Sequence, residues 1–298
     1  MNIKSIEKDH ILHITLADGM VRGLLVTGTE TVREAQRIHL TTPVVTAAFG
    51  RLLMGTAMLS CMQKDKKSST TVSIDGGGPI GKMVCVGDDQ TVRGAVDVPQ
   101  LELPLRRDGK LNVGMAVGNR GRLSVVKDLQ MKNPYVGQTA LVSGEIAEDF
   151  ANYFLQSEQS PSLVSLGVLV AQDAVLAAGG ILLQPLPGCP SDIIDELELR
   201  SPIFGEISRE LAHDPMEKLM ETWFQGLKPV TLETTPLSYQ CGCSRRRMEK
   251  NLITLGKEEL TRIIEDELEG AEIVCHFCKT HYQFSTQDLA ALLNKATK

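Results

Sequence analysis

The chain has 298 residues, of which 42% are hydrophobic and only 4% aromatic. That is material for a sizeable aliphatic core and for two domains, or one large domain with a small one. The formal net charge of −6 and the pI near 5.6 lack the basic excess that replaces counterions on a phosphate backbone, which argues against nucleic acid as a partner.

Met1 to Gly19 is charged and alternating, without the apolar run or small-residue cleavage site of a secretory signal. Residues 1 to 28 read as strands ending in glycine. Thr31 to Met62 reads as two helices broken at Thr42-Pro43, with Thr42 as N-cap and Pro43 in the first helical position. The run Pro43 to Met62 approaches the length of a membrane span, but Arg51 at its middle costs about 2.5–3.5 kcal/mol there. Thr46, Gly50, Gly55 and Thr56 weaken it further, so the expectation is a buried core helix in a soluble, cytoplasmic protein with no membrane partner. From Thr70 to about Val142 short runs such as Thr71-Val72-Ser73-Ile74 and Met83-Val84-Cys85-Val86 are punctuated by Gly and Asp, as in strands. Ser143 then caps a helix to about Ser157 whose apolar face is Ile146, Phe150 and Phe154. Leu163 to Val170 and Ile181 to Leu183 are two more strands. Strands around a few helices predict an α+β core over residues 1–184.

Pro185-Leu186-Pro187-Gly188 is a breaker and marks a boundary. Residues 185–230 form a helical linker segment in which Ile203, Ile207 and Leu211 recur every fourth position. Asp214-Pro215-Met216-Glu217 reads as a helix start, with Asp as cap, Pro in the first position and Glu closing a capping box. Met216, Leu219, Met220, Trp223 and Phe224 make the stripe of that helix, and Leu227-Lys228-Pro229 ends it. A layer packed on the core and a removable lid both fit this amphipathic pattern. Residues 231–298 form a small C-terminal domain: helices over Ser244 to Leu255 and Lys257 to Leu268, a hairpin over Glu272 to Phe284, and a last helix from Ser285 to Lys295 with Ser285 and Asp288 at capping-box spacing. So small a unit has little core of its own, and a metal is one standard staple.

Seven cysteines in a cytosolic chain are not explained by a disulfide framework. Cys61, Cys85 and Cys189 are scattered in apolar or turn contexts and read as small hydrophobes. The other four form two close pairs, Cys241-Gly242-Cys243 and Cys275-His276-Phe277-Cys278, bridged by a helical segment. Such pairs present four thiolates to one tetrahedral Zn²⁺ with Zn–S near about 2.3 Å, and Gly242 lets the tighter C-x-C loop bend. The competing reading is two reduced thiol pairs without metal. His276 and His281 are weaker ligand candidates, because His276 lies inside the C-x-x-C loop, where a third ligand to the same metal is strained. Four thiolates on Zn²⁺ carry a net negative charge that needs N–H groups or cations. Arg245, Arg246, Arg247 and Lys279 either meet that need or form a solvated face.

Gly76-Gly77-Gly78-Pro79-Ile80-Gly81-Lys82 fits G-x-x-x-x-G-K, but Met83 stands where a Mg²⁺-binding Ser or Thr belongs, and a strand follows instead of a helix. A β-turn is expected there. No nucleophile elbow or H-E-x-x-H is present, and His10, His13, His39 and His213 form no local cluster, so no enzymatic site is expected.

The chain resembles, over essentially its whole length, the heat shock protein 33 family of redox-regulated chaperones, also called HslO. The resemblance rests on Cys241-Gly242-Cys243-Ser244-Arg245 with Val274-Cys275-His276-Phe277-Cys278, on Gly144-Glu145-Ile146-Ala147-Glu148-Asp149 with Tyr153-Phe154-Leu155-Gln156-Ser157-Glu158-Gln159, on Leu182-Leu183-Gln184-Pro185-Leu186-Pro187-Gly188 and on Ser124-Val125-Val126-Lys127-Asp128-Leu129. It implies an α+β core, a helical middle and a C-terminal redox-switch domain, nearly inactive while reduced and zinc-bound. It further implies that oxidants form disulfides Cys241–Cys243 and Cys275–Cys278, that zinc leaves, and that the loosened protein, typically a dimer, holds unfolding clients and later passes them to an ATP-dependent foldase system. The physics agrees. Zinc supplies on the order of 10–16 kcal/mol of folding free energy in zinc-finger peptides, and a disulfide between cysteines one residue apart is strained and labile. Unfolding would also uncover the apolar stripe of residues 203–224. The zinc domain is then expected to act as a clamp that keeps residues 191–226 covered, with hinges at Pro185 to Gly188 and Leu227 to Pro229. The rivals are a zinc-ribbon nucleic-acid-binding module, against which the acidic balance speaks, and a thiol–disulfide oxidoreductase using Cys275 and Cys278.

Overall fold

A computed structural model describes residues 8–63, 65–131, 133–266 and 270–296. The strand expectation for residues 1–7 and the end of the helix expected to reach Leu268 lie outside the described residues. The chain divides into two compact units, Met1–Gln240 and Cys241–Lys298.

In the first unit a hairpin of β1 (His10–Leu16) and β2 (Val21–Thr27) leads into α1 (Thr29–His39) and α2 (Pro43–Cys61). Then come β3 (Ser69–Asp75), β4 (Met83–Gly87), β5 (Thr91–Val96), α3 (Val113–Val117), β6 (Arg122–Asp128), β7 (Tyr135–Ala140) and α4 (Ala147–Ser157). Strands β8 (Leu163–Ala171) and β9 (Ala174–Pro185) precede α5 (Ser191–Phe204), α6 (Ile207–Leu211) and α7 (Met216–Trp223), and β10 (Val230–Pro236) and β11 (Ser238–Tyr239) close the unit. Two sheets result, ordered β10-β1-β2-β9-β8 and β11-β5-β4-β3-β6-β7. All pairings are antiparallel except β11 with β5. The expected α+β class is what is observed.

Helix α2 packs against both sheets, and 89% of its apolar window is buried. Its polar residues are tolerated because they bond back along the helix: Thr46 Oγ1 to the Thr42 carbonyl at 2.9 Å, Thr56 Oγ1 to Leu52 at 2.7 Å and Ser60 Oγ to Thr56 at 2.8 Å. Arg51 reaches the Glu145 carboxylate at 2.7 Å and its backbone carbonyl at 3.2 Å. The charge that argued against a membrane span thus ties the helix to the turn before α4. Thr42 is the N-cap residue, but its hydroxyl bonds the Leu101 carbonyl instead of the helix end. Gly55 admits Phe150 so closely that an added Cβ would lie 2.3 Å from its ring.

Strands β1, β2 and β9 of the first sheet are buried on both faces, because their side chains alternate between two cores. Ile11, Leu24, Val26 and Leu182 join the large core around α2. Leu12, Ile14, Leu16, Leu25, Ile181 and Leu183 face the other way, under α5, α6 and α7, and contact Leu197, Phe204, Ile207, Met216, Leu219 and Trp223. The helical segment is therefore a packed layer in this structure. Its register differs from the sequence reading: Ile203 is 48% exposed and Phe204 is buried in its place, edge-on to Trp223 at 5.8 Å. The reason is local. Pro202 lies inside α5, the helix stops at Gly205, and α6 restarts at Ile207, so a four-residue period cannot run through. Likewise α7 starts at Met216 with Pro215 as its N-cap residue, and Asp214 pairs with Lys218 at 2.7 Å.

Residues 231–240 also depart from the reading that began the small domain at Thr231. Here β10 pairs with β1 and β11 with β5, so they extend the first unit's sheets and the second unit begins at Cys241. The G-x-x-x-x-G-K segment is the loop between β3 and β4. Its amides are already bonded: Gly78 N–H to the Val117 carbonyl at 3.0 Å and Ile80 N–H to Ala116 at 3.1 Å. Such a loop has no free N–H cradle for phosphate.

The second unit contains α8 (Arg245–Thr254), α9 (Lys257–Asp266), the hairpin β12 (Ala271–Val274) and β13 (His281–Phe284), and α10 (Thr286–Ala296). Its core is Met248, Leu252, Leu260, Phe284, Leu289 and Leu292. The capping box at α10 is formed: Ser285 N–H donates to Asp288 at 3.0 Å and Asp288 N–H to the Ser285 hydroxyl at 3.2 Å.

Candidate metal centre

Two loops build the site. The first enters α8: Cys241-Gly242-Cys243 precedes Ser244, whose hydroxyl accepts the Arg247 N–H as a helix cap. The second is the turn between β12 and β13. Cys275 donates its N–H to the Thr280 carbonyl at 2.9 Å, and Lys279, in the left-handed region at φ 56°, donates its N–H to the Cys275 carbonyl at 2.8 Å. These bonds curl the C-x-x-C segment so that both sulfurs face one side.

All four sulfurs lie within 4.8 Å of one another. Cys241 Sγ is 3.8 Å from Cys275 Sγ, and Cys243 Sγ is 3.3 Å from Cys278 Sγ. A tetrahedron with metal–sulfur bonds of about 2.3 Å has edges of about 3.8 Å, so the donor set fits one tetrahedral ion. Cys275 is buried and the other three are partly exposed. Neither histidine joins the cluster: His276 is exposed, and His281 Nδ1 lies 3.1 Å from Glu272. The local cations do not approach the sulfurs either. Arg245 stacks on Phe284 at 4.4 Å and pairs with Asp288 at 2.9 Å, while Arg246, Arg247 and Lys279 are exposed. They staple the unit or face solvent.

Two hydroxyls that the sequence reading did not single out do approach the sulfurs. Tyr282 Oη is 3.0 Å from Cys243 Sγ, and Thr280 Oγ1 is 3.2 Å from Cys278 Sγ. Burial pushes Cys278 up, but hydrogen bonds from the Thr280 hydroxyl and N–H and from neighbouring thiols outweigh it and bring the thiol to about 7. Burial raises Cys241 and Cys243. The Cys243 sulfur beside its hydroxyl raises Tyr282 to about 12. The signal for Tyr282 was the alternation of β13, which puts it opposite Ile273 in the hairpin that carries Cys275 and Cys278.

The remaining cysteines belong to the first unit and lie outside this cluster. Burial and the nearby Asp89 raise Cys61 to about 12. Cys85 is fully buried and shifted well above the ordinary thiol range by that burial.

These observations define a two-unit α+β protein whose concentrated chemistry is a four-cysteine centre able to hold one metal ion. The Hsp33 protein family profile matches residues 9–285. The chain is 41% identical to the 33 kDa chaperonin of Ruminiclostridium cellulolyticum, covering 97% of this chain and 99% of that one. It is 42% identical to the 33 kDa chaperonin of Bacillus pumilus, covering 97% and 100%. The crystal structure of the 33 kDa chaperonin (heat shock protein 33 homolog) of Thermotoga maritima superposes with a TM-score of 0.89 at 37% identity, covering 98% of this chain and 99% of that one. The chain belongs to the Hsp33 family.

Proposed function

We propose that this protein is a redox-regulated holding chaperone of the cytoplasm, held inactive by one Zn²⁺ on Cys241, Cys243, Cys275 and Cys278 and activated by oxidation of those residues. The observation that carries the reading is the cluster of four sulfurs within 4.8 Å of one another in a unit with a small core. A closed set of four soft thiolates suits Zn²⁺ and leaves no open position for substrate, which favours a structural over a catalytic role. Bound zinc would supply the folding free energy of the second unit.

The activating chemistry is a thiol oxidation by a peroxide-class oxidant. One thiolate attacks a peroxide oxygen, the O–O bond breaks, and the departing hydroxide takes a proton to become water. The partner thiolate then attacks the sulfenic sulfur, the S–S bond forms and the S–O bond breaks, releasing a second hydroxide that is protonated in turn. Each pair gives up two electrons to one peroxide. The pairs are Cys241–Cys243 and Cys275–Cys278, a reading that the family resemblance supports. Residues 1–184 serve as the chaperone core, which strands β10 and β11 complete, 185–230 as the linker layer and the unit from Cys241 as the redox switch. Clients are unfolding proteins, bound by a homodimer of the oxidised form and passed on to an ATP-dependent foldase system. The sheet face beneath α5 to α7, lined by Leu12, Ile14, Leu16, Leu25, Ile181 and Leu183, is the apolar surface the layer would uncover.

The test is zinc and free-thiol content before and after peroxide, beside suppression of aggregation of a thermally unfolding client. The reduced protein should carry one zinc per chain and show little suppression; peroxide should release the zinc, consume four thiols and switch suppression on. A protein with Cys61, Cys85 and Cys189 all replaced by Ala should respond in the same way. Absence of zinc, zinc unaffected by Cys275→Ser, or loss of activation in the triple variant while it stays folded would sink the reading.

A further inference from the structure

We propose that Tyr282 and Thr280 are positioning residues of the thiolate centre: each donates a hydroxyl hydrogen bond to one sulfur, Tyr282 to Cys243 and Thr280 to Cys278, and so restrains that sulfur's reaction with oxidants. The inference rests on the four-cysteine metal reading above and goes beyond it to the neighbours that tune it.

The geometry is specific. The Tyr282 and Thr280 oxygens are 3.0 Å and 3.2 Å from their sulfurs. Each hydroxyl meets the second cysteine of one pair. Both come from the same short stretch of chain, Thr280 immediately before β13 and Tyr282 on it, opposite Ile273. A metal-bound thiolate has no proton to give, so at these distances the hydroxyls are the donors. Such a bond withdraws electron density from sulfur. Two consequences follow from the bond. The sulfur is held in its place in the donor set, and outer-shell partners of this kind commonly strengthen metal binding. It is also a weaker nucleophile toward the O–O bond of a peroxide, because thiolate nucleophilicity falls as the charge on sulfur is stabilised. No cationic side chain takes this part among the described residues near the sulfurs: Arg245 is engaged by Phe284 and Asp288, and Lys279 is exposed. The hydroxyls are the polar side-chain groups in contact with the sulfurs.

The test compares full-length wild type with Tyr282→Phe, Thr280→Val and Thr280→Ser. Tyr282→Phe removes one oxygen and keeps the ring; Thr280→Val keeps the shape without the hydroxyl; Thr280→Ser keeps the hydroxyl without the methyl. Zinc affinity is read by chelator competition. The Co²⁺-loaded proteins give a second readout in their sulfur-to-cobalt charge-transfer bands, which report electron density on sulfur and not the stability of the fold. A third readout is residue-resolved alkylation and peroxide oxidation by mass spectrometry. Tyr282→Phe and Thr280→Val should each lower zinc affinity about tenfold, move the charge-transfer bands to lower energy, and raise the reactivity of Cys243 and Cys278 respectively. Thr280→Ser should stay with wild type. If wild type takes up no metal, the site reading itself fails and the inference fails with it. If wild type binds zinc but Tyr282→Phe and Thr280→Val match it in affinity, spectrum and sulfur reactivity, the site reading stands and this inference is overturned. Equal losses in Thr280→Ser and Thr280→Val would overturn the role of Thr280 by assigning it to packing.

Discussion

At the scale of the residue, the first unit depends on single buried polar groups. The Asp149 carboxylate is fully buried and accepts three backbone N–H groups, from Val142 at 2.7 Å, Ser143 at 3.2 Å and Ile146 at 3.0 Å. It folds the chain back over the start of α4 and holds Ile146 at φ 72°, a conformation that a β-branched residue avoids unless its surroundings impose it. Glu145, in the same turn, takes Arg51 from α2, so this corner also anchors the central helix. Asp149→Ala would leave the donors of that turn facing a cavity. The expected loss is roughly 3–5 kcal/mol, since each buried donor without a partner costs about 1–3 kcal/mol and relaxation recovers part of the sum. Asp149→Asn, which keeps one acceptor oxygen, should lose less. Urea unfolding followed by the loss of helix and sheet in far-ultraviolet circular dichroism measures both. Equal losses for Ala and Asn would mean that charge, and not the set of acceptor bonds, is what the turn requires.

At the scale of the element, the helical layer α5 to α7 is the part whose stability decides between a closed and an open sheet face. It is held by side chains more than by backbone. Phe204 is fully buried and meets Trp223 at 5.8 Å and Phe224 at 5.5 Å, and Arg200 ties α5 to the end of α7 through the Trp223 carbonyl at 2.7 Å. Trp223→Ala should weaken this layer by about 3–5 kcal/mol while leaving the core around α2 intact. Hydrogen exchange should then accelerate across residues 191–226, and the reduced, zinc-bound variant should suppress aggregation where wild type does not. Accelerated exchange without any gain in holding would place the client surface elsewhere. Much of this layer was legible in the sequence, because Met216, Leu219, Met220 and Trp223 repeat at helical spacing and are all buried. The exchange of Ile203 for Phe204 was not legible, since Pro202 and the break at Gly205 reset the phase and only the underlying sheet decides which side of α5 is covered. Strand β10 was missed for a related reason. Its residues are almost all exposed, so no apolar alternation marks it, and its partner β1 lies at the other end of the chain. The four cysteines were legible because metal chemistry demands a local spacing. Their hydroxyl neighbours were not, because Tyr282 and Thr280 become partners of sulfur only once the hairpin closes.

At the scale of the whole molecule, the two units are stabilised by different physics. The first has a continuous aliphatic core that spans both sheets. The second has a core of Met248, Leu252, Leu260, Phe284, Leu289 and Leu292 and a four-cysteine cluster able to hold a metal ion. So few buried side chains cover little apolar surface against the entropy of ordering the unit. A unit of this size therefore lies near the margin without a further term, and metal ligation can supply one. Removing zinc with a strong chelator in reductant should melt residues 241–298 selectively, read as rapid hydrogen exchange there with protection retained in β1 to β9. Removing the same residues by truncation after Gln240 tests what that unit restrains. The cut falls after β10 and β11, so the sheets keep their edge strands. If the second unit keeps the helical layer in place, the truncated protein should hold unfolding clients in reductant, without any oxidant. The layer then depends on its own apolar contacts, and its opening is set by their balance against the ordering entropy of the segment. Hydrogen exchange over residues 191–226 separates the outcomes. Fast exchange with strong holding supports restraint by the second unit. A well-folded truncated protein that keeps the layer protected and holds nothing would show that the layer is autonomous and that activation requires more than loss of the second unit.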